Sequence, residues 1–388
     1  MPNREIMVVI GTRPEAIKLA PVVLALADDP RYIPIVVTTA QHRKMLDQVL
    51  EFFSIVPDYD LGIMEAAQSL TAITTRALEG LDRILSERRP DLVVVQGDTS
   101  TTFVGALAGF YHQVPIAHVE AGLRTYRRHA PFPEEINRRL VTQLASLHLA
   151  PTTDAVSNLL RENVPAEEIV CTGNTVIDAL RWAVRRQADY GAPELEGLDG
   201  DPRRVVLVTM HRRESWGELA GVGRALVRLA THHPDLLIVI PLHLNPAVRR
   251  AVLPVLEGPE NIVVVEPLEY GAFSRLLARA ELVVTDSGGI QEEAPALGKP
   301  VLVLREVTER PEGVAAGAVE LVGTGEDVIL ERARSILTDP GEYARMTRAV
   351  DSYGDGRAAT RVVEAIASFF NEGPPPLGFQ PVAVPTRT

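Results

Sequence analysis

The feature that most restricts this chain is an alternation. Short, continuously apolar runs are separated by longer segments of helical period along nearly the whole length. The runs are IMVVI (6–10), PIVVT (34–38), LVVVQ (92–96), PIAHV (115–119), VVLVT (205–209), LLIVI (236–240), IVVV (262–265), LVVT (282–285) and VLVL (301–304). Runs apolar on both faces belong to parallel strands covered by helices on each side. Segment 68–87 reads as such a helix, with Leu70, Ile73, Ala77, Leu81, Ile84 and Leu85 in one stripe. The pattern breaks at the polar stretch GAPELEGLDGDPRR and restarts at Val205. The expectation is an α/β chain with two parallel-sheet halves, 1–175 and 176–354. Between such sheets lies a cleft, and ligand groups belong just after the strands that point to it.

Composition narrows the class. Hydrophobic residues make up 46% of the chain, enough for two cores, and only 5% of residues are aromatic, so Val, Leu, Ile and Ala must fill them. A net charge of −12 disfavours a general nucleic-acid binder, which would show a basic face. Cys171 is the only cysteine, so no intrachain disulfide or cysteine-rich zinc site forms. The apolar run before Gly11 is too short for a signal peptide, and no stretch approaches the ~20 apolar residues that span a bilayer. A soluble, cytoplasmic protein without membrane partners is expected. Segment 355–370 is strongly amphipathic, and the Pro-rich tail 373–388 lacks any period and is expected to be disordered.

Two sets of residues follow strands. Ser287, Gly288 and Gly289 sit between run 282–285 and a helix, where free backbone amides suit a phosphate. A plain N-cap at Asp286 or Ser287 explains the same tripeptide. Glu292 and Glu293 lie one helical turn on, where a carboxylate would accept both hydroxyls of a ribose. The fingerprint G-x-G-x-x-G is absent here and at GTRPE, which points away from NAD and toward a nucleoside diphosphate. Arg13 and Lys18, then His211, Arg212 and Arg213, and Arg310, supply positive charge after other strands. The second set is acidic: Asp98 after run 92–96, Glu120 after run 115–119, and Glu134 behind Pro133 at a helix start. Asp98 could cap the next helix and Glu134 could favour a helix N-terminus, but Glu120 has no helix to cap. Three acids on one wall suit proton transfer, their mutual repulsion separating an acid from a base. A glycosidase pair fits the same description. His118, His129 and His148 are scattered and read as structural, and no metal or other cofactor is called for.

The segments GTRPEAIKLAPV, QGDTSTTF, HVEAGLRT, PFPEEINR, HRRES, PLHLNP and TDSGGIQEEAPALGKPVLVLREVTERPEG together resemble the non-hydrolysing UDP-N-acetylglucosamine 2-epimerases. The resemblance runs from the first strand to the final helix. It implies two Rossmann-like domains in the GT-B arrangement, with the last helix, within 355–372, packing back on the first domain. It implies reversible conversion of UDP-N-acetylglucosamine to UDP-N-acetylmannosamine, through elimination of UDP to 2-acetamidoglucal and its re-addition. By motif, Asp98, Glu120, Glu134 and His211 match the family's catalytic positions. Arg13, Lys18, Phe273, Ser287, Gly288, Gly289, Glu293 and Arg310 match substrate-binding ones, Phe273 beside uracil and Glu293 at the ribose. A homodimer is a further family trait.

Two departures stand out. Bacterial members often bind a second substrate molecule as an activator through Gln-His-Arg-Gln and Arg-Gln segments; here these read Gln41-His42-Arg43-Lys44 and Ala67-Gln68. The expectation is a weakened or absent activator requirement. Three rival readings share the nucleotide site: a GT-B glycosyltransferase, a hydrolysing 2-epimerase that releases free N-acetylmannosamine, and a nucleotide-sugar sensor.

Overall fold

The computed structural model describes residues 3–39, 43–63, 65, 68–211, 217–308, 310–348 and 352–380. Gln41, His42, Ala67, Arg212 and Arg213, and the side chains of Arg43 and Lys44, lie outside this set, and with them most of the activator segments. The chain forms two compact units, Met1–Ala179 with Gly354–Gln380, and Leu180–Tyr353. The division falls inside the helix Thr175–Arg186. Among the described residues no helix is long and apolar enough to cross a membrane.

The described residues of unit 1 carry seven strands: β1 (Arg4–Ile10), β2 (Tyr32–Thr38), β3 (Tyr59–Asp60), β4 (Leu92–Gln96), β5 (Ile116–Val119), β6 (Leu147–Ala150) and β7 (Ile169–Cys171). They form one parallel sheet in the order β3-β2-β1-β4-β5-β6-β7. Unit 2 carries β8 (Arg204–Thr209), β9 (Leu236–Pro241), β10 (Ile262–Val265), β11 (Ala280–Thr285), β12 (Val301–Val303) and β13 (Val319–Leu321). These too are all parallel, in the order β10-β9-β8-β11-β12-β13. Each order reverses direction once, between β1 and β4 and between β8 and β11. Loops that follow those strands diverge to opposite faces and leave room for a ligand.

Apolar alternation accounts for the cores. Met7, Val9, Val93 and Val95 of the first sheet pack on Ile73, Ala77, Leu81 and Leu85, the stripe of the helix Leu70–Arg88. Val206, Val208, Leu282 and Val284 of the second pack on Val222, Leu226 and Leu229 of the helix Leu219–His232. The helix Ala358–Phe369 returns to unit 1, where it packs on the helix Arg13–Asp28. Its first amides, of Ala358 and Ala359, donate to Asp178 at 3.1 and 2.9 Å, which satisfies two donors that a helix start leaves open.

The tail departs from expectation. Residues 373–380 are placed against unit 1, and Phe379 is only 3% exposed. Residues 381–388 lie outside the described set. One buried aromatic ring anchors the segment without needing any period in the sequence.

His118 and His148 face each other across β5 and β6, both buried. His118 Nε2–H donates to the Gly97 carbonyl at 2.7 Å, fixing the turn after β4. Loss of hydration drives both imidazoles down, His118 to about 3 and His148 to about 4. An unfolded histidine titrates near ~6.5. Between those values the unfolded chain binds protons that the folded one refuses, so stability is complete above the unfolded value and falls as the pH drops. The slope is at most about 1.4 kcal/mol per pH unit for each ring. Asp178, pushed up to about 6 by burial, works in the opposite sense over part of that range. Neither His118 nor His148 should titrate between pH 5 and 8 in a proton NMR series, because both are held at about 4 or below. A ring signal from either that moves with a midpoint near ~6.5 would contradict this.

Candidate active site

In unit 1 the turn after β1 begins at Gly11, where a Cβ would stand 2.2 Å from Thr101 Oγ1, so only glycine fits. The helix Arg13–Asp28 follows, capped by Thr12 and Glu15. Glu15 is 1% exposed. Its Oε2 accepts the amides of Gly11 (3.0 Å) and Thr12 (2.6 Å), and its Oε1 accepts the hydroxyls of Thr99 (2.7 Å) and Thr102 (3.0 Å). One carboxylate thus joins the turn after β1 to the turn after β4, at the point where the strand order reverses. Burial pushes the Glu15 carboxyl up, against the pull of these donors. Nothing local in GTRPE marks Glu15, because its threonine partners are 84 and 87 residues away.

Glu120 stands directly after β5 in left-handed backbone, φ 64°, a region that a non-glycine residue enters at a cost. Its side chain is nearly enclosed. Lys18 Nζ donates to Oε1 at 2.5 Å, Gln96 Nε2 donates to Oε2, and Asn174 Nδ2 lies 3.4 Å from Oε1. Lys18 was expected on the nucleotide or sugar; here its ammonium holds the acid. Asp98 accepts from Arg138 Nη2 through Oδ2, and its backbone carbonyl accepts from Asn137 Nδ2 at 2.9 Å. The helix after β4 is capped by Thr99, so Asp98 is not its cap. Asp98 and Glu120 therefore each have a cation as hydrogen-bonded partner, where sequence reading looked to repulsion between acids.

Glu134 is the first residue of the helix Glu134–Leu144, half-buried, and its side chain has no hydrogen-bonded partner among the described residues. Its neighbour Glu135 is fully buried and accepts the amides of Thr125 and Tyr126, both at 3.0 Å, fixing the loop after Glu120. Arg13 is half-buried at the first position of its helix and likewise has no partner among the described residues.

In unit 2 the other reversal point brings His211, after β8, beside Asp286, after β11. The two strands are locked in register by Thr209 and Thr285, whose hydroxyls lie 2.7 Å apart. Asp286 is fully buried; Oδ2 accepts the His211 amide at 2.8 Å and Oδ1 lies 3.0 Å from His211 Nδ1. The ring stacks on His243, centroids 6.0 Å apart. Burial, then the neighbouring His211, lowers the His243 pKa. In sequence Asp286 stands only as a cap candidate; its histidine partner is 75 residues away, so no local signal marks the pair.

Ser287, Gly288 and Gly289 lead into the short helix Ile290–Ala296, whose N-cap is Gly289 and which no side chain caps. Thr285 Oγ1 accepts the Ser287 amide at 2.9 Å. Gln291 Nε2 donates to the Ser287 carbonyl at 3.1 Å, while Thr308 donates to Gln291 at 2.6 Å, so the loop after β12 is tied to this turn. Arg310, expected at the site as positive charge, donates through Nε to Glu292, so an acid of the same unit meets that charge. Glu293 is 9% exposed beside that pair. Phe273 is half-buried on the helix Tyr270–Arg279.

Comparison with known proteins fits these features. The family model described as UDP-N-acetylglucosamine 2-epimerase matches residues 24–367. The UDP-N-acetylglucosamine 2-epimerase of Escherichia coli K12 is 53% identical over 370 residues, 93% of this chain and 98% of that protein. This chain belongs to the UDP-N-acetylglucosamine 2-epimerase family. The Neisseria meningitidis UDP-GlcNAc 2-epimerase, solved bound to UDP-GlcNAc, is 45% identical with a TM-score of 0.83, covering 94% of this chain and 100% of that one. The S. aureus MnaA–UDP structure is 44% identical with a TM-score of 0.84, over 97% and 100%. Two parallel-sheet units of this kind, shared with epimerases of known structure, are the GT-B class of fold that the resemblance implied.

Proposed function

We propose that this enzyme reversibly epimerises UDP-N-acetylglucosamine and UDP-N-acetylmannosamine at C2 without net hydrolysis. The observation that carries this reading is Glu120: an enclosed carboxylate at a strand end, held by Lys18 and Gln96 in strained backbone. Strain of this kind persists where a side chain must be aimed.

The C2 hydrogen is not next to a carbonyl, so direct abstraction is slow. Stretching the C1–O bond puts positive character on C1 and acidifies C2. A carboxylate then takes the C2 proton, the C–H pair becomes the C1–C2 double bond, and the C1–O pair leaves with UDP. Re-addition of UDP oxygen to C1, with a proton delivered to the other face of C2, gives the epimer. Unit 1 residues Asp98, Glu120 and Glu134 serve the sugar. Ser287, Gly288 and Gly289 receive phosphate, Glu293 the ribose and Phe273 the uracil, with His211 near the diphosphate. Arg13, half-buried and without an acid partner among the described residues, supplies charge to the leaving group. The same reading includes a homodimer in the cytoplasm, its product feeding cell-surface polysaccharide synthesis.

Proton NMR of UDP-N-acetylglucosamine with the enzyme in heavy water tests the reaction. Deuterium at C2 in both epimers is expected. Free N-acetylmannosamine would mark a hydrolysing enzyme, and no exchange at all would remove epimerisation in favour of transfer or binding.

A further inference from the structure

The tail that sequence leads one to discount reaches the acid centre of unit 1 through two steps. β7 is the outer strand of its sheet, with open backbone on one side. The Phe379 amide donates to the Cys171 carbonyl of that strand at 2.7 Å. Its ring is 3% exposed and lies against Gly173, whose φ of 83° suits glycine and whose added Cβ would be 3.4 Å from both the ring and Gly354 Cα. Arg361 gathers the same parts. It donates to the Thr172 carbonyl and the Leu377 carbonyl, each at 3.2 Å, pairs with Asp355 at 2.6 Å, and lies 5.7 Å from the Phe379 ring centroid.

The turn so enclosed ends in Asn174. Its Nδ2 lies 3.4 Å from Glu120 Oε1, and its backbone is backed by Gly354, where an added Cβ would meet Asn174 O at 3.2 Å and N at 3.3 Å. Among the described residues, Gly354 and the Phe379 ring are what a Cβ on Gly173 would meet first, so the two together back this turn.

We propose that residues 373–380 are a strap over the β7 edge and that Phe379 is a positioning residue for Glu120, acting through the Gly173–Asn174 turn. The catalytic half of this proposal rests on the epimerase reading; the strap itself does not.

The chain provides its own reporter, because Cys171 is the only cysteine and sits under the strap, half-buried. Two full-length variants, Phe379→Ala and Phe379→Leu, and a chain ended after Leu377, are compared with the unaltered enzyme. Each is assayed for kcat and KM in epimerisation and for the rate of N-ethylmaleimide alkylation at Cys171. Phe379→Ala and the shortened chain should alkylate faster and lose about tenfold in kcat, with KM within roughly twofold, since a misplaced acid slows chemistry more than binding. Phe379→Leu, which keeps the apolar bulk, should restore both values. Unchanged alkylation in both the Ala variant and the shortened chain would overturn the strap. Faster alkylation with unchanged kcat would overturn the positioning role. If the unaltered enzyme itself fails to epimerise, the epimerase reading falls while alkylation still decides the strap.

Discussion

Glu120→Gln should lower the epimerisation rate by about a thousandfold while leaving UDP affinity within roughly threefold of the original. The substitution keeps length and planarity but removes the proton acceptor. Lys18 still finds a side-chain oxygen at that position, and Gln96 resolves the new donor–donor clash by turning its own amide over. The nucleotide groups named for unit 2 are untouched, so binding measured by titration calorimetry should survive. Steady-state assay of epimer formation supplies the other half. Turnover that stays within tenfold of normal would show that Glu120 only braces Lys18, and the proton would then have to go to Asp98 or Glu134.

Glu15→Ala should cost about 2–5 kcal/mol of stability, measured by urea unfolding. Two backbone amides and two threonine hydroxyls converge on this one buried carboxylate, and alanine leaves the amides of Gly11 and Thr12 without an acceptor. Glu15→Gln should cost much less. Its oxygen serves the two amides, its NH2 donates to a threonine oxygen, and both hydroxyls are free to rotate, Thr102 already lying 2.6 Å from the Gln96 carbonyl. The ordering matters more than either value. Equal losses for the two variants would mean that charge, and not the fourfold acceptor geometry, is what the fold requires.

The nine apolar runs of four or five residues were legible because strands buried on both faces need little but apolar residues. β3, β6, β7 and β13 were not: they have two to four residues, and Asp60, His148 and Glu320 interrupt all but β7. Strand ends marked Asp98, Glu120, His211 and Ser287, since the reversal of strand order in a parallel sheet dictates where loops part. Their partners stayed hidden. Arg138, Gln96 and Asn174 reach Asp98 and Glu120 from sequence separations of 24 to 54 residues, which no local pattern records. Lys18 and Arg310 were visible as charges, but only the fold shows that carboxylates already answer them.

The acids that bolt the turns after β1 and β8, Glu15 and Asp286, accept backbone amides from within their own unit. The backbone at Gly11, Thr12 and His211 is accordingly settled when the chain folds, with no visiting molecule needed to shape it. An incoming nucleotide sugar meets these braced residues already in place, and the entropy of its binding there should reflect released water and its own immobilisation more than any tightening at Gly11, Thr12 and His211.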